Sequence, residues 1–163
     1  IATNNAPSYC RFIFAKKYNM PRIKLELPEQ FSFHTTIPIR ITDINYGGHA
    51  GNDSMLSIIH EARIQFLQQQ GYDEKNFAGI GLIMSDVAIE FKKELFYGDV
   101  VEIAVTATAF ERVSFDIFYK LDTLRNGKNI TVAVAKTGMV CFDYTTKKIT
   151  PVPEEARRKL VAM

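Results

Sequence analysis

Between Thr42 and Asp53 the chain reads Thr-Asp-Ile-Asn-Tyr-Gly-Gly-His-Ala-Gly-Asn-Asp. This stretch gathers two carboxylates (Asp43, Asp53), one imidazole (His49), two carboxamides (Asn45, Asn52) and three glycines. Glycines let backbone N–H groups approach a ligand closely. An imidazole moves protons near neutral pH. A helix starting at Asn52 would aim its uncompensated N–H groups and positive dipole end at developing negative charge. These are the parts of a site for acyl transfer or acyl hydrolysis. A further carboxylate, Glu61, follows on that same helix at the edge of its apolar stripe, where partial desolvation would raise its proton affinity toward that of a general base.

The elements around this loop are legible from periodicity. Phe33, Thr35, Ile37, Ile39 and Ile41 alternate with His34, Thr36, Pro38 and Arg40, the pattern of a half-buried strand. Pro38 removes a ladder donor and predicts an edge position or a bulge. Asp43 ends this strand, where it would hold His49 or tie the loop through an Asx-type bond. The helix spans about Asn52 to Gln70, with Asn52 as the expected N-cap, a stripe of Met55, Ile58, Ile59, Ala62 and Phe66, and Gly71 as its stop. Four strands follow: Ile83–Phe91, Val101–Ala107, Val113–Leu121 and the apolar run Ile130–Phe142, expected at the centre of a sheet. Asn126-Gly127 predicts a type I′ hairpin. Pro153-Glu154-Glu155 opens a short terminal helix whose basic end suits its dipole. One helix, five strands and a short final helix give an α+β protein whose twisted, mostly antiparallel sheet wraps the long helix.

Composition narrows the function classes. The 163 residues carry a formal net charge of +2 with scattered basic residues, which gives no nucleic-acid platform. No apolar run approaches the ~20 residues of a membrane span. Cys10 and Cys141 fall in no ligand spacing and read as free thiols of a reducing, cytoplasmic compartment. His34 and His60 make no zinc motif with His49. Residues 1–19 look unlike the rest and read as an extension, with Met20 as the natural start and 20–163 as one domain.

The run Asp43-Ile44-Asn45-Tyr46-Gly47-Gly48-His49-Ala50-Gly51-Asn52, the later Glu61-Ala62-Arg63, and Phe91-Lys92-Lys93-Glu94-Leu95-Phe96-Tyr97-Gly98-Asp99-Val100 resemble the hotdog-fold acyl-CoA thioesterases, in particular the 4-hydroxybenzoyl-CoA thioesterase-like subgroup. The likeness covers about residues 33–144. It departs at two places: the usual catalytic aspartate of the subgroup is Asn45 here, and the first Asn of its His-Val-Asn-Asn run is Gly51. An amide cannot take a proton or attack a carbonyl, but it can orient a thioester or a water. The resemblance implies hydrolysis of an acyl-CoA or acyl-carrier thioester without cofactor or metal. It also implies a homodimer or dimer of dimers, a site at the subunit boundary and an apolar acyl tunnel. His49, Glu61, Asn45 and Asp43 are then the expected catalytic set. Tyr46, Gly48, Asn52, Ile59 and Lys93 are the expected substrate contacts. Two other functions suit the same residues: dehydration or hydration of a 3-hydroxyacyl thioester, and acyl-thioester binding without turnover, which Asn45 favours.

Overall fold

A computed structural model of the chain describes residues 22–161; Met20, Cys10 and the proposed 1–19 extension lie outside the described residues. Strand β1 covers Phe33–Pro38, and a 3₁₀ turn at Ile41–Asp43 leads to the glycine-rich loop. Helix α1 covers Asn52–Gln69. Strands β2 (Gly81–Phe91), β3 (Val100–Thr108), β4 (Ser114–Arg125) and β5 (Lys128–Asp143) follow, then β6 (Lys148–Ile149) and helix α2 (Glu154–Val161).

The sheet order is β1-β3-β4-β5-β2, with β6 added to β5, and every pairing is antiparallel. β5 lies inside the sheet, as its long apolar run requires. The Asn126-Gly127 turn has both residues at positive φ (50° and 71°), the backbone of a primed hairpin. Among the described residues β1 pairs only with β3, so Pro38 sits on an edge strand. The strand ends at that proline, and Ile41, expected on the inward face, is exposed because the chain has already turned. The sixth strand, β6, is two residues long, too short for a periodic signal.

One core unites the elements. Met55, Ile58, Ile59, Ala62 and Phe66 of α1 are all buried against the inward residues of β3, β4 and β5, among them Val101, Ile103, Phe115, Ile117 and Leu121. The stripe therefore does what its spacing predicts. Gly71 (φ +78°) ends the helix, with Tyr72 N–H returning to the Leu67 carbonyl at 3.0 Å. In β2, Val87 and Phe91 are exposed, and a bulge between Met84 and Asp86 shifts the strand's register. Cys141 is a free, buried thiol, pushed by that burial up to about 11. A long helix packed on one face of an antiparallel sheet in this order is the hotdog arrangement.

Candidate active site

The glycine-rich loop folds on itself before it enters the helix. Ile44 and Ala50 form an antiparallel bridge, Asn45 N–H donates to the His49 carbonyl at 2.9 Å, and Gly48 N–H donates to the Asn45 carbonyl at 3.0 Å. Gly48 closes this turn at φ +80°, a conformation glycine adopts without the strain of a Cβ. The Asn45 Oδ1 accepts from Gly47 N–H at 2.8 Å. A Cβ on Gly47 would lie 3.0 Å from both that Oδ1 and the His49 Nε2. The missing side chain is what lets the carboxamide and the imidazole flank the same backbone atom.

His49 is held at one ring nitrogen, and among the described residues the other makes no hydrogen bond. Its Nδ1 lies 3.2 Å from the Ala50 carbonyl oxygen. An amide oxygen can only accept, so Nδ1 carries the proton and Nε2 keeps its lone pair in the neutral ring. His49 lines a cavity of about 240 Å³ with Asn52, Met55, Phe91, Lys93 and Glu94, among others. α1 starts there. Its N-cap is Gly51, which has no side chain to satisfy the first N–H groups. The cavity thus combines a proton acceptor, a helix N-terminus, apolar walls and lysines.

The far wall comes from the β2–β3 connection. Ala50 N–H donates to the Leu95 carbonyl at 2.8 Å, stitching the histidine loop to this connection. Arg125 of β4 donates to the Glu94 carbonyl at 2.6 Å and also bonds the Asp99 carboxylate. Burial of Asp99 opposes its charge, but the bonds from Arg125 and the Phe96 N–H outweigh it and hold the carboxyl below the usual aspartate range. The Glu94 side chain remains 63% exposed, with Oε1 4.0 Å from His49 Nε2.

The expected site residues separate in this structure. His49, Asn45, Asn52 and Lys93 gather around or beside the cavity. Asn52 is the first helical residue and lines the cavity instead of capping the helix, because Gly51 takes the cap position. Asp43 does not hold His49. It is buried in the 3₁₀ turn, where the hydrogen bond from Arg40 outweighs burial and holds its carboxyl below the usual range. Glu61 is exposed, accepts from Gln65 Nε2 at 2.7 Å, and lines a different cavity of about 420 Å³ with Thr36, Arg40 and Ser57. It sits beyond the edge of the stripe on the side facing β1, so the desolvation expected of it is absent. Tyr46 is fully exposed at the loop tip beside Gly48, and Ile59 is sealed in the core; none of these three lines the cavity about His49. Arg63 is buried, with Nε 2.7 Å from Glu74 Oε1, and serves the core. Glu94 is the acid that sequence reasoning missed. Its only local signal is its place just before the Gly98-Asp99 turn; the contact with His49 depends on the Ala50–Leu95 pairing across the fold.

On this hotdog fold an imidazole and a helix N-terminus share one cavity with apolar walls and lysines. The model of the thioesterase-like superfamily matches residues 39–160. A 1,4-dihydroxy-2-naphthoyl-CoA hydrolase of Microcystis aeruginosa is 32% identical over 125 residues, 75% of this chain and 88% of that protein. Among solved structures, a 1,4-dihydroxy-2-naphthoyl-CoA thioesterase from Synechocystis superposes with a TM-score of 0.71 at 19% identity, over 80% of this chain and 96% of that one. A 4-hydroxybenzoyl CoA thioesterase variant complexed with 4-hydroxybenzoyl CoA gives 0.72 at 17%, over 78% and 97%. At those identities the two structures speak for the fold alone. The chain belongs to the thioesterase-like superfamily and is a thioester hydrolase.

Proposed function

We propose that this chain hydrolyses an acyl-CoA thioester to free acid and thiol with water activated beside His49. The observation that carries this reading is His49 on the same cavity as the start of α1, whose Gly51 N-cap offers no side-chain hydrogen bond. The imidazole accepts the proton of water. The N–H groups at Asn52 and beyond stabilise the oxyanion, and losing one such donor typically costs about 3 kcal/mol of transition-state stabilisation. Asn45 supports the loop and orients the carbonyl. Met55, Phe91 and Leu95 give the acyl group an apolar wall, and Lys93 meets the anionic carrier. The relatives point to an aromatic acyl-CoA such as 1,4-dihydroxy-2-naphthoyl-CoA as the first substrate to test.

The minimum assembly in this reading is a homodimer with the cavity at its boundary. Among the described residues no strand pairs with the outer edge of β2, and that edge with the exposed Met84, Val87 and Phe91 supports this. Glu61 enters the reading only if a second copy brings its helix to the cavity.

The test is thiol release over a panel of aromatic and straight-chain acyl-CoAs. His49→Ala should lower kcat at least about tenfold while the variant stays folded. Tight acyl-CoA binding with no release of thiol by the wild type would replace this reading with a binding function. In the same assay, a comparable fall for Glu61→Ala would place the helix carboxylate in the site, and an unchanged rate would leave it out.

A further inference from the structure

We propose that Glu94 supplies the carboxylate of this active site, holding the attacking water jointly with His49; the inference rests on the hydrolase reading above. The loop position where the resemblance expects a carboxylate carries Asn45, which takes no proton and bears no charge. Asp43 is committed to Arg40, and Glu61 lines another cavity. Among the described residues, Glu94 is the one carboxylate that lines the cavity about His49.

Its geometry suits a water. The 4.0 Å from Glu94 Oε1 to His49 Nε2 is too long for a direct hydrogen bond. Both atoms are acceptors, since Nδ1 holds the imidazole proton against the Ala50 carbonyl. One water donating to both at ~2.8 Å would subtend about 90° at its oxygen, close to its own bond angle. Its lone pairs would then face the cavity, where a thioester carbonyl reaches the N–H groups of α1.

The backbone is arranged to keep the acid there. The Leu95 carbonyl accepts from Ala50, next to the histidine, and the Glu94 carbonyl accepts from Arg125. The main chain is thus anchored on both sides while the carboxylate is left to solvent and the cavity. Lys92 and Lys93 precede it on the same wall, and Lys92 bonds Glu90 at 2.9 Å.

The water oxygen bonds to the acyl carbon while one water proton passes to His49 Nε2. The tetrahedral oxyanion reforms the carbonyl, the C–S bond breaks, and its electron pair leaves on sulfur. The imidazolium returns the proton to the thiolate. Glu94 stays a carboxylate throughout, orienting the water and stabilising the imidazolium, as a buried acid does for the histidine of a hydrolytic triad.

The experiment is steady-state thiol release by the full chain from 1,4-dihydroxy-2-naphthoyl-CoA, benzoyl-CoA and straight-chain acyl-CoAs. Glu94→Gln should lower kcat roughly ten- to a thousandfold with KM within about threefold. Glu94→Asp should regain part of the loss, and added formate should raise the rate of Glu94→Ala. Circular dichroism should match the wild type, since this side chain is mostly exposed. A Glu94→Gln enzyme with kcat within threefold of an active wild type overturns the role of Glu94 and leaves the hydrolase reading standing. A wild type that releases no thiol from any of these substrates overturns that reading, and this inference with it.

Discussion

Adjacent glycines in the loop do different jobs, and substitution should separate them. A Cβ at Gly47 meets the Asn45 Oδ1 and His49 Nε2, both ends of side chains that can swing away. Gly47→Ala should therefore leave the fold intact and reduce kcat several-fold by displacing the imidazole. A Cβ at Gly48 meets nothing, but its φ of +80° strains any L residue. Gly48→Ala should lower stability by about 1–2 kcal/mol. Denaturant unfolding alongside thiol-release rates checks both, and the idea fails if Gly47→Ala is the less stable variant and Gly48→Ala the less active one. The glycines and His49 were legible from residue type, since a loop with this composition has few structural reasons to hold an imidazole. Glu94 was not, because one exposed glutamate in a Lys-Lys-Glu run looks like any solvated turn.

At the scale of elements, ionic contacts lock the pieces that carry the site. Arg63 of α1 is buried against Glu74, whose other oxygen lies 3.2 Å from His60 Nε2. Removing only Glu74 leaves a buried guanidinium without its counter-charge, a loss of roughly 3–5 kcal/mol. Glu74→Gln should thus destabilise strongly in urea titrations, and the double variant Arg63→Met, Glu74→Gln should recover part of that. Asp43 and Asp99 fasten the turns on either side of the cavity, and their carboxyls lie below the usual range. The folded chain then binds fewer protons than the unfolded chain near the ordinary aspartate value of 3.8. Their stabilisation is present above that value and fades as pH falls through and below it. Melting temperatures of wild type and Asp99→Asn, measured from about pH 7 to about pH 3, should converge at the acid end. A constant gap across that range would show that Asp99 acts through something other than its charge.

At the scale of the whole molecule, the sheet ends on its second side at β2. β2 presents eleven residues of strand with one side unpaired among the described residues, and Phe91 at its end lines the cavity. An exposed edge of that length is a template for pairing unless it is covered. Sedimentation equilibrium should therefore show a dimer. Val87→Lys places a charge on the exposed edge and should shift the chain toward monomer. If the cavity is completed across that boundary, thiol release should fall in step with dimer content. A fully active monomer would confine the site to one chain. Among the described residues no helix is long and apolar enough to cross a membrane.

The sequence by itself determined the two helices, the strands other than β6, and their order. The 3.6-residue stripe of α1, the alternation of β3 and β4, the Asn126-Gly127 turn and the edge proline are all local patterns, and each reports the burial of its own neighbourhood. It also placed the histidine and the helix start next to each other, because they are adjacent along the chain. Only the tertiary structure decided which acid faces that histidine. Helical spacing located Glu61 near the apolar stripe but could not say that β1 and Arg40 stand on its side of α1. The partner that does approach, Glu94, is 45 positions away from His49 and arrives through strand pairing and a carbonyl held by Arg125. Contacts of that kind depend on how distant elements dock, and no periodicity within either segment encodes them.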